Sequence, residues 1–117
     1  MNVEDFRSYC LAKPGVSEDM PFGEETLAFR VAGKIFALTN LTRDDFRVNL
    51  KCDPVWAQSL REQYPEITPG YHMNKRHWNT VLFETGLHAG FLQRMIDHSY
   101  DLVFQKLPKS IRVTLLN

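Results

Sequence analysis

Three consecutive runs of this chain read as strands, the first and third alternating apolar and polar residues with a period of two, and that alternation constrains the fold more than any other feature. In the first run Leu27, Phe29 and Val31 alternate with Thr26, Ala28 and Arg30. Ala32-Gly33 makes a tight turn into the second run, residues 34–39. After a polar loop, Phe46, Val48 and Leu50 alternate with Arg47, Asn49 and Lys51. Successive side chains of a strand point to opposite faces, so a one-sided apolar pattern means a sheet covered on one face only. The uncovered face then offers Arg30, Arg47, Asn49 and Lys51 to something outside the core.

Helical signals flank these strands. Asn2 caps a first helix with Glu4 and Asp5 in its first turn, and Pro14-Gly15 ends it. Residues 16–25 carry Glu18, Asp19, Glu24 and Glu25 around Pro21 and Gly23, and read as an acidic loop. Asp53-Pro54 is an N-cap followed by proline at the first helical position, and it opens a helix carrying Trp56, Leu60 and Tyr64. Past Pro69-Gly70, residues 77–83 read as a further strand, with 67–72 as a short partner. A long helix over about 87–106 shows a buried stripe of Leu87, Phe91, Met95, Ser99 and Leu102, flanked by Leu92, Ile96 and Val103. Pro108 opens a last helix with Ile111 and Leu115 facing inward. The order α-β-β-β-α-β-β-α-α predicts a two-layer α+β domain, its helices packed on one face of an antiparallel sheet.

A chain of 117 residues makes one domain of ordinary size. The N-terminus lacks the basic start and apolar core of a signal peptide, and no apolar run is long enough to cross a bilayer. The expectation is a monomeric cytoplasmic protein with no membrane partner. Cys10 and Cys52 form no CxxC pair and read as reduced core thiols. Net charge is zero, which argues against a strong nonspecific polyanion binder. Its distribution is uneven, however. Residues 26–52 hold Arg30, Lys34, Arg43, Arg47 and Lys51 against Asp44 and Asp45, five minus two, or +3. Residues 67–83 hold Lys75 and Arg76 and no acid, giving +2.

The second window contains the densest chemistry. Residues 71–81 place two histidines, two permanent cations, two amides and two large aromatics in one acid-free run. Such a mixture suits a surface that stacks on flat groups and bonds to anionic ones. Arg47, Lys51, Lys75 and Arg76 are candidates for phosphate contacts. Asn49, Asn74 and Asn79 are candidates for phosphate or base edges, and His77, Tyr71 and Trp78 for stacking or aromatic support. Alternation puts Trp78 largely in the core and His77 on the opposite face. His72 and His77 lack HExxH spacing, and Cys52 with His77 lacks an orienting acid. There is no GxGxxG and no GxxxxGK[ST]. The residues therefore predict binding rather than catalysis, with no cofactor and no metal. A half-covered sheet with a cationic, aromatic rim would equally hold a protein partner or a planar small molecule.

The run from Pro69-Gly70 through Val81 closely resembles the signature of the MmcQ/YjbR family. Tyr9-Cys10-Leu11-Ala12-Lys13-Pro14-Gly15, Lys34-Ile35-Phe36-Ala37-Leu38, Val48-Asn49-Leu50-Lys51-Cys52 before Asp53-Pro54, Ser99-Tyr100 and Leu107-Pro108 match in order. The resemblance covers nearly the whole chain. It implies the same α+β layout, a bacterial cytoplasmic protein, and weak DNA binding by a "double wing". The candidate wings are the hairpin around Ala32-Gly33 and the segment 69–79.

Overall fold

A computed structural model describes residues 1–70 and 73–117. Its element order is α1 (Val3–Leu11), β1 (Val16–Asp19), β2 (Thr26–Val31), β3 (Lys34–Asn40), β4 (Arg47–Lys51), α2 (Pro54–Gln63), β5 (Ile67–Pro69), β6 (Trp78–Leu82), α3 (Ala89–Phe104) and α4 (Lys109–Leu116). The strands form one antiparallel sheet in the order β1-β2-β3-β4-β6-β5. The class is α+β, as the strand and helix order predicts.

One core joins the helices to a single face of the sheet. Phe6 of α1 is fully buried and meets the rings of Phe29, Phe46 and Phe83 edge-on at 5.1, 5.6 and 5.5 Å. Edge-to-face packing sets the positive edge of one ring against the negative face of another. Leu27, Phe29, Val31, Val48, Leu50, Ile67 and Val81 supply the strand side of this core. Ser99 is buried on α3, yet it is satisfied: it donates to the Phe36 carbonyl and accepts from the Lys51 N–H. That pair of bonds pins α3 across β3 and β4.

Several sequence expectations are corrected. Residues 16–19, read as loop, form an edge strand. Val16 is its one apolar residue, so no alternation betrays it. It pairs with β2 through Val16↔Val31 to Asp19↔Ala28. Ion pairs from two other elements hold its acids, Arg7 on Glu18 and Arg30 on Asp19. Charged side chains also protect an edge strand from pairing with another chain. On α3 the buried stripe is Leu92, Met95, Ile96, Ser99, Tyr100, Val103 and Phe104, while Phe91 and Leu102 are only half-buried. The stripe is turned about the helix axis because the helix packs across the middle strands rather than along an edge. Ile111 on α4 is exposed at 38 %, and only Leu115 reaches the core.

A bulge re-aims β3. Phe29 pairs with Ala37 and Arg30 with Ile35, so Phe36 is an extra residue. Phe36 and Ala37 are both fully buried, and the Phe36 ring meets Tyr100 of α3 at 5.5 Å. From Leu38 onward the alternation resumes, and Leu38 faces away from the helices, opposite Asn49. The β2–β3 turn has positive φ at both central residues, 48° at Ala32 and 82° at Gly33, as a primed two-residue hairpin requires.

At the β4–α2 junction, the Asp53 carboxylate caps α2 by accepting from the Val55 and Trp56 N–H groups. The Asp53 N–H in turn donates to Nε2 of His98 at 3.0 Å, and the Trp56 ring stands edge-on to the imidazole at 4.7 Å. Burial lowers the His98 pKa below its usual 6.5, against the opposing pull of Asp53 and Asp101. The neutral imidazole is the form that accepts this hydrogen bond. A depressed folded pKa makes the contribution of His98 full above 6.5 and lost as pH falls below it. The thermal midpoint is therefore expected to drop on acidification through that range, and to drop less in His98→Gln, which keeps an acceptor but does not titrate. Equal drops in the two proteins would remove His98 from this role.

Candidate nucleic-acid interface

The sheet register composes the open face. Cross-strand partners share a face. One row therefore runs across all six strands: Asp19, Ala28, Leu38, Asn49, Thr80, Thr68. Beside it, Lys51 is opposite Trp78 and Arg47 is opposite Leu82. Thr80 donates to Oδ1 of Asn49. The expected solvent-side placement of Arg47, Asn49 and Lys51 holds.

Two residues of β6 change sides relative to expectation. Asn79 lies opposite Leu50 on the helix-covered face, is 2 % exposed, and donates from Nδ2 to the Ala57 carbonyl at 3.4 Å. Its Oδ1 has no hydrogen-bond partner among the described residues. Asn79 is removed from the solvent-facing set, because Val81 and Phe83 carry its parity into the core. Trp78 takes the other parity and lies half-buried on the open face rather than in the core. It is braced at its own backbone: the Gly70 N–H donates to the Trp78 carbonyl at 2.9 Å, and a Cβ on Gly70 would stand 2.8 Å from that of Trp78. Only glycine admits that approach. Tyr71, proposed as aromatic support, and His72 lie outside the described residues.

Charge on the face is smaller than the sequence windows suggest. Arg30 is paired with Asp19, and Arg43 and Arg47 share Asp45, with Arg47 bound to both carboxylate oxygens at 2.9 Å. These arginines drew the +3 of the first window; Asp45 is already counted in that sum, and Asp19 from outside the window lowers it to +2. What remains gathers at one end of the sheet. The strand directions place the Ala32-Gly33 hairpin, Lys34, Lys51 and the segment 73–77 at the same end. Lys34, Lys51, Lys75 and Arg76 make no ion pair among the described residues. Burial and a neighbouring Lys106 lower the Lys51 pKa, so two ammonium groups repel each other there. Lys106 follows α3 in sequence and no pattern of residue spacing points to it; only the fold brings it beside Lys51.

The segment that presents Lys75 and Arg76 is tethered through its backbone. Arg61 of α2 donates to the Lys75 carbonyl at 2.9 Å, Oδ1 of Asn74 accepts from the Arg76 N–H at 3.0 Å, and the His77 N–H donates to the Asn74 carbonyl. Asn74, Lys75 and Arg76 are exposed and His77 is half-buried. The Asn74 side chain is thus spent on shaping the turn, while both cations stay free to meet a ligand.

A concave groove of about 820 Å³ crosses the open face. Leu38, Asn49 and Thr80 line it along the open-face row, Arg43 and Arg47 at one end, Met73 and Pro69 at the other, and Phe22 on its rim. Phe22 and Thr68 were not singled out from the sequence, although a phenylalanine between proline and glycine is a signal for an exposed ring. Among the described residues, no three His, Cys, Asp or Glu side chains cluster as metal ligands would. Burial pushes both cysteine thiols up to about 12. No described helix is long and apolar enough to cross a membrane.

Fold and face together define a class of small α+β domain, with helices on one side of an antiparallel sheet and a groove with a basic end on the other. The YjbR family model matches residues 11–102. Escherichia coli K12 has an uncharacterised protein, YjbR, that is 29 % identical over 116 residues, covering 99 % of this chain and 98 % of its own. YbdF of E. coli O157:H7, also uncharacterised, is 38 % identical over 106 residues, covering 91 % and 87 %. A crystal structure of the Deinococcus radiodurans protein DR2400 superposes with a TM-score of 0.91 at 40 % identity, covering 97 % of this chain and 87 % of that one. A Pseudomonas syringae protein follows at 0.77 and 32 % identity, covering 88 % and 99 %. The chain belongs to the YjbR family.

Proposed function

We propose that this protein binds DNA weakly through the phosphate backbone, using the basic end of its sheet, and that it acts by binding without catalysis. The observation that carries this reading is the gathering of Lys34, Lys51, Lys75 and Arg76, with no ion-pair partners among the described residues, between the hairpin tip and the segment 73–77. Uncompensated cations on two projecting elements fit a polyanion laid across them, in the manner of a double wing. Burial pushes both thiols up, which argues against either cysteine as a nucleophile.

Weakness follows from the count. If about 3–4 phosphates are neutralised, log K against log salt should fall with a slope of roughly −2.7 to −3.6 for duplex DNA. Titration of a duplex at several salt concentrations, followed by backbone NMR shifts of Lys51, Lys75 and Arg76, measures this. A slope near zero, or no movement of these residues at low salt, removes the DNA reading. The groove favours the second reading, a module that holds a protein partner or a planar small molecule, which then takes its place.

A further inference from the structure

We propose that the groove on the open face takes an unpaired base of single-stranded DNA, while the basic end holds the adjoining phosphates. This deepens the phosphate reading above and rests on it. Three features of the groove point to a nucleotide rather than to a smooth apolar ligand.

The first is an exposed aromatic ring. Phe22 is 68 % exposed and stands on the groove rim, where a base can stack on its face. Stacking accepts any base, because every base offers a π-face. The second is the floor. Leu38 is 8 % exposed on the face that the helices leave open, with Ala28 on one side of it and, on the other, the polar side chains of Asn49, Thr80 and Thr68 in that order along the row. An apolar floor with a polar edge suits a heterocycle, whose flat face is apolar and whose perimeter bonds to hydrogen-bonding groups. The groove volume of about 820 Å³ lies within the range of small-molecule sites, with room for a base and its sugar.

The third feature is charge at both ends. Arg43 and Arg47 line one end, where they share the carboxylate of Asp45 and still present guanidinium N–H groups toward the groove. The other end is lined by Met73, which runs directly into Asn74, Lys75 and Arg76. From Arg47 to Lys51 along β4 is roughly 13 Å, so a strand crossing the groove meets cations on entering and on leaving. A duplex keeps its bases paired and stacked and cannot fill the groove. The expected ligand is therefore single-stranded.

Fluorescence anisotropy with three labelled ligands of equal length tests this: an oligothymidylate, an abasic strand and a duplex. The thymidylate should bind roughly tenfold more tightly than the abasic strand, which has the same phosphates but no bases. Phe22→Ala should cost about tenfold on thymidylate and leave the abasic strand unchanged. Thr68→Trp, on an exposed edge-strand position, should fill the groove and abolish the preference without lowering the thermal midpoint. Lys75→Glu with Arg76→Glu should weaken all three ligands. If thymidylate and abasic strand bind alike, the groove proposal falls while the phosphate reading stands. It falls equally if thymidylate is preferred but Phe22→Ala and Thr68→Trp leave that preference intact. If none of the three binds, both readings fall together.

Discussion

Lys75→Glu combined with Arg76→Glu is expected to weaken duplex binding at low salt by on the order of a hundredfold, about 1.4 kcal/mol for each lost contact, at the low end of hydrogen bonds to charged groups. Both side chains are exposed, and neither forms an ion pair among the described residues. Their removal therefore deprives the fold of little. The turn that carries them survives as well. Arg61 grips the carbonyl of Lys75, and Asn74 grips the N–H of Arg76, so the tethers hold whatever side chains stand there. Binding and stability should part: anisotropy titration shows the loss and the thermal midpoint stays where it was. Undiminished binding by the doubly reversed protein would place the DNA contact elsewhere or nowhere.

Phe6→Ala is expected to cost about 3–5 kcal/mol, a large share of the ~5–15 kcal/mol that holds a domain of this size folded. The ring is fully buried, and its three aromatic neighbours come from β2, from the residue before β4 and from the residue after β6. Truncation removes the transfer energy of the ring and leaves a cavity that three other rings must collapse into. Since α1 meets the sheet through this residue and Cys10, the loss should loosen the whole helix. Urea denaturation reads it as a lower midpoint at unchanged slope. A cost below about 1 kcal/mol would mean that the cluster repacks freely around the gap.

The sequence alone determined the layout. Period-two alternation in β2 and β4 showed which residues face the helices and which are left to solvent, and Arg47, Asn49 and Lys51 stand where that pattern put them. Asp53-Pro54 marked the start of α2, because an N-cap and a proline at the first turn are local signals that need no tertiary help. The segment 71–81 was legible as the dense chemical feature because its composition is unusual in itself. Tertiary structure decided the rest, for reasons that lie outside any short window. β1 exists because β2 and two arginines hold it, and its own residues carry no strand signal. The bulge at Phe36 turned Leu38 to the open face, a one-residue shift that no alternation rule can place. Asn79 and Trp78 exchanged sides because the register of β6 is set by Val81 and Phe83 entering the core, and a polar residue of the same parity goes in with them. Charge was the least legible of all. A sequence counts arginines, but only the fold shows that Arg30, Arg43 and Arg47 are already spoken for by aspartates, and that Lys34, Lys51, Lys75 and Arg76 are not, because ion pairing depends on which side chains come within a few ångströms across different elements.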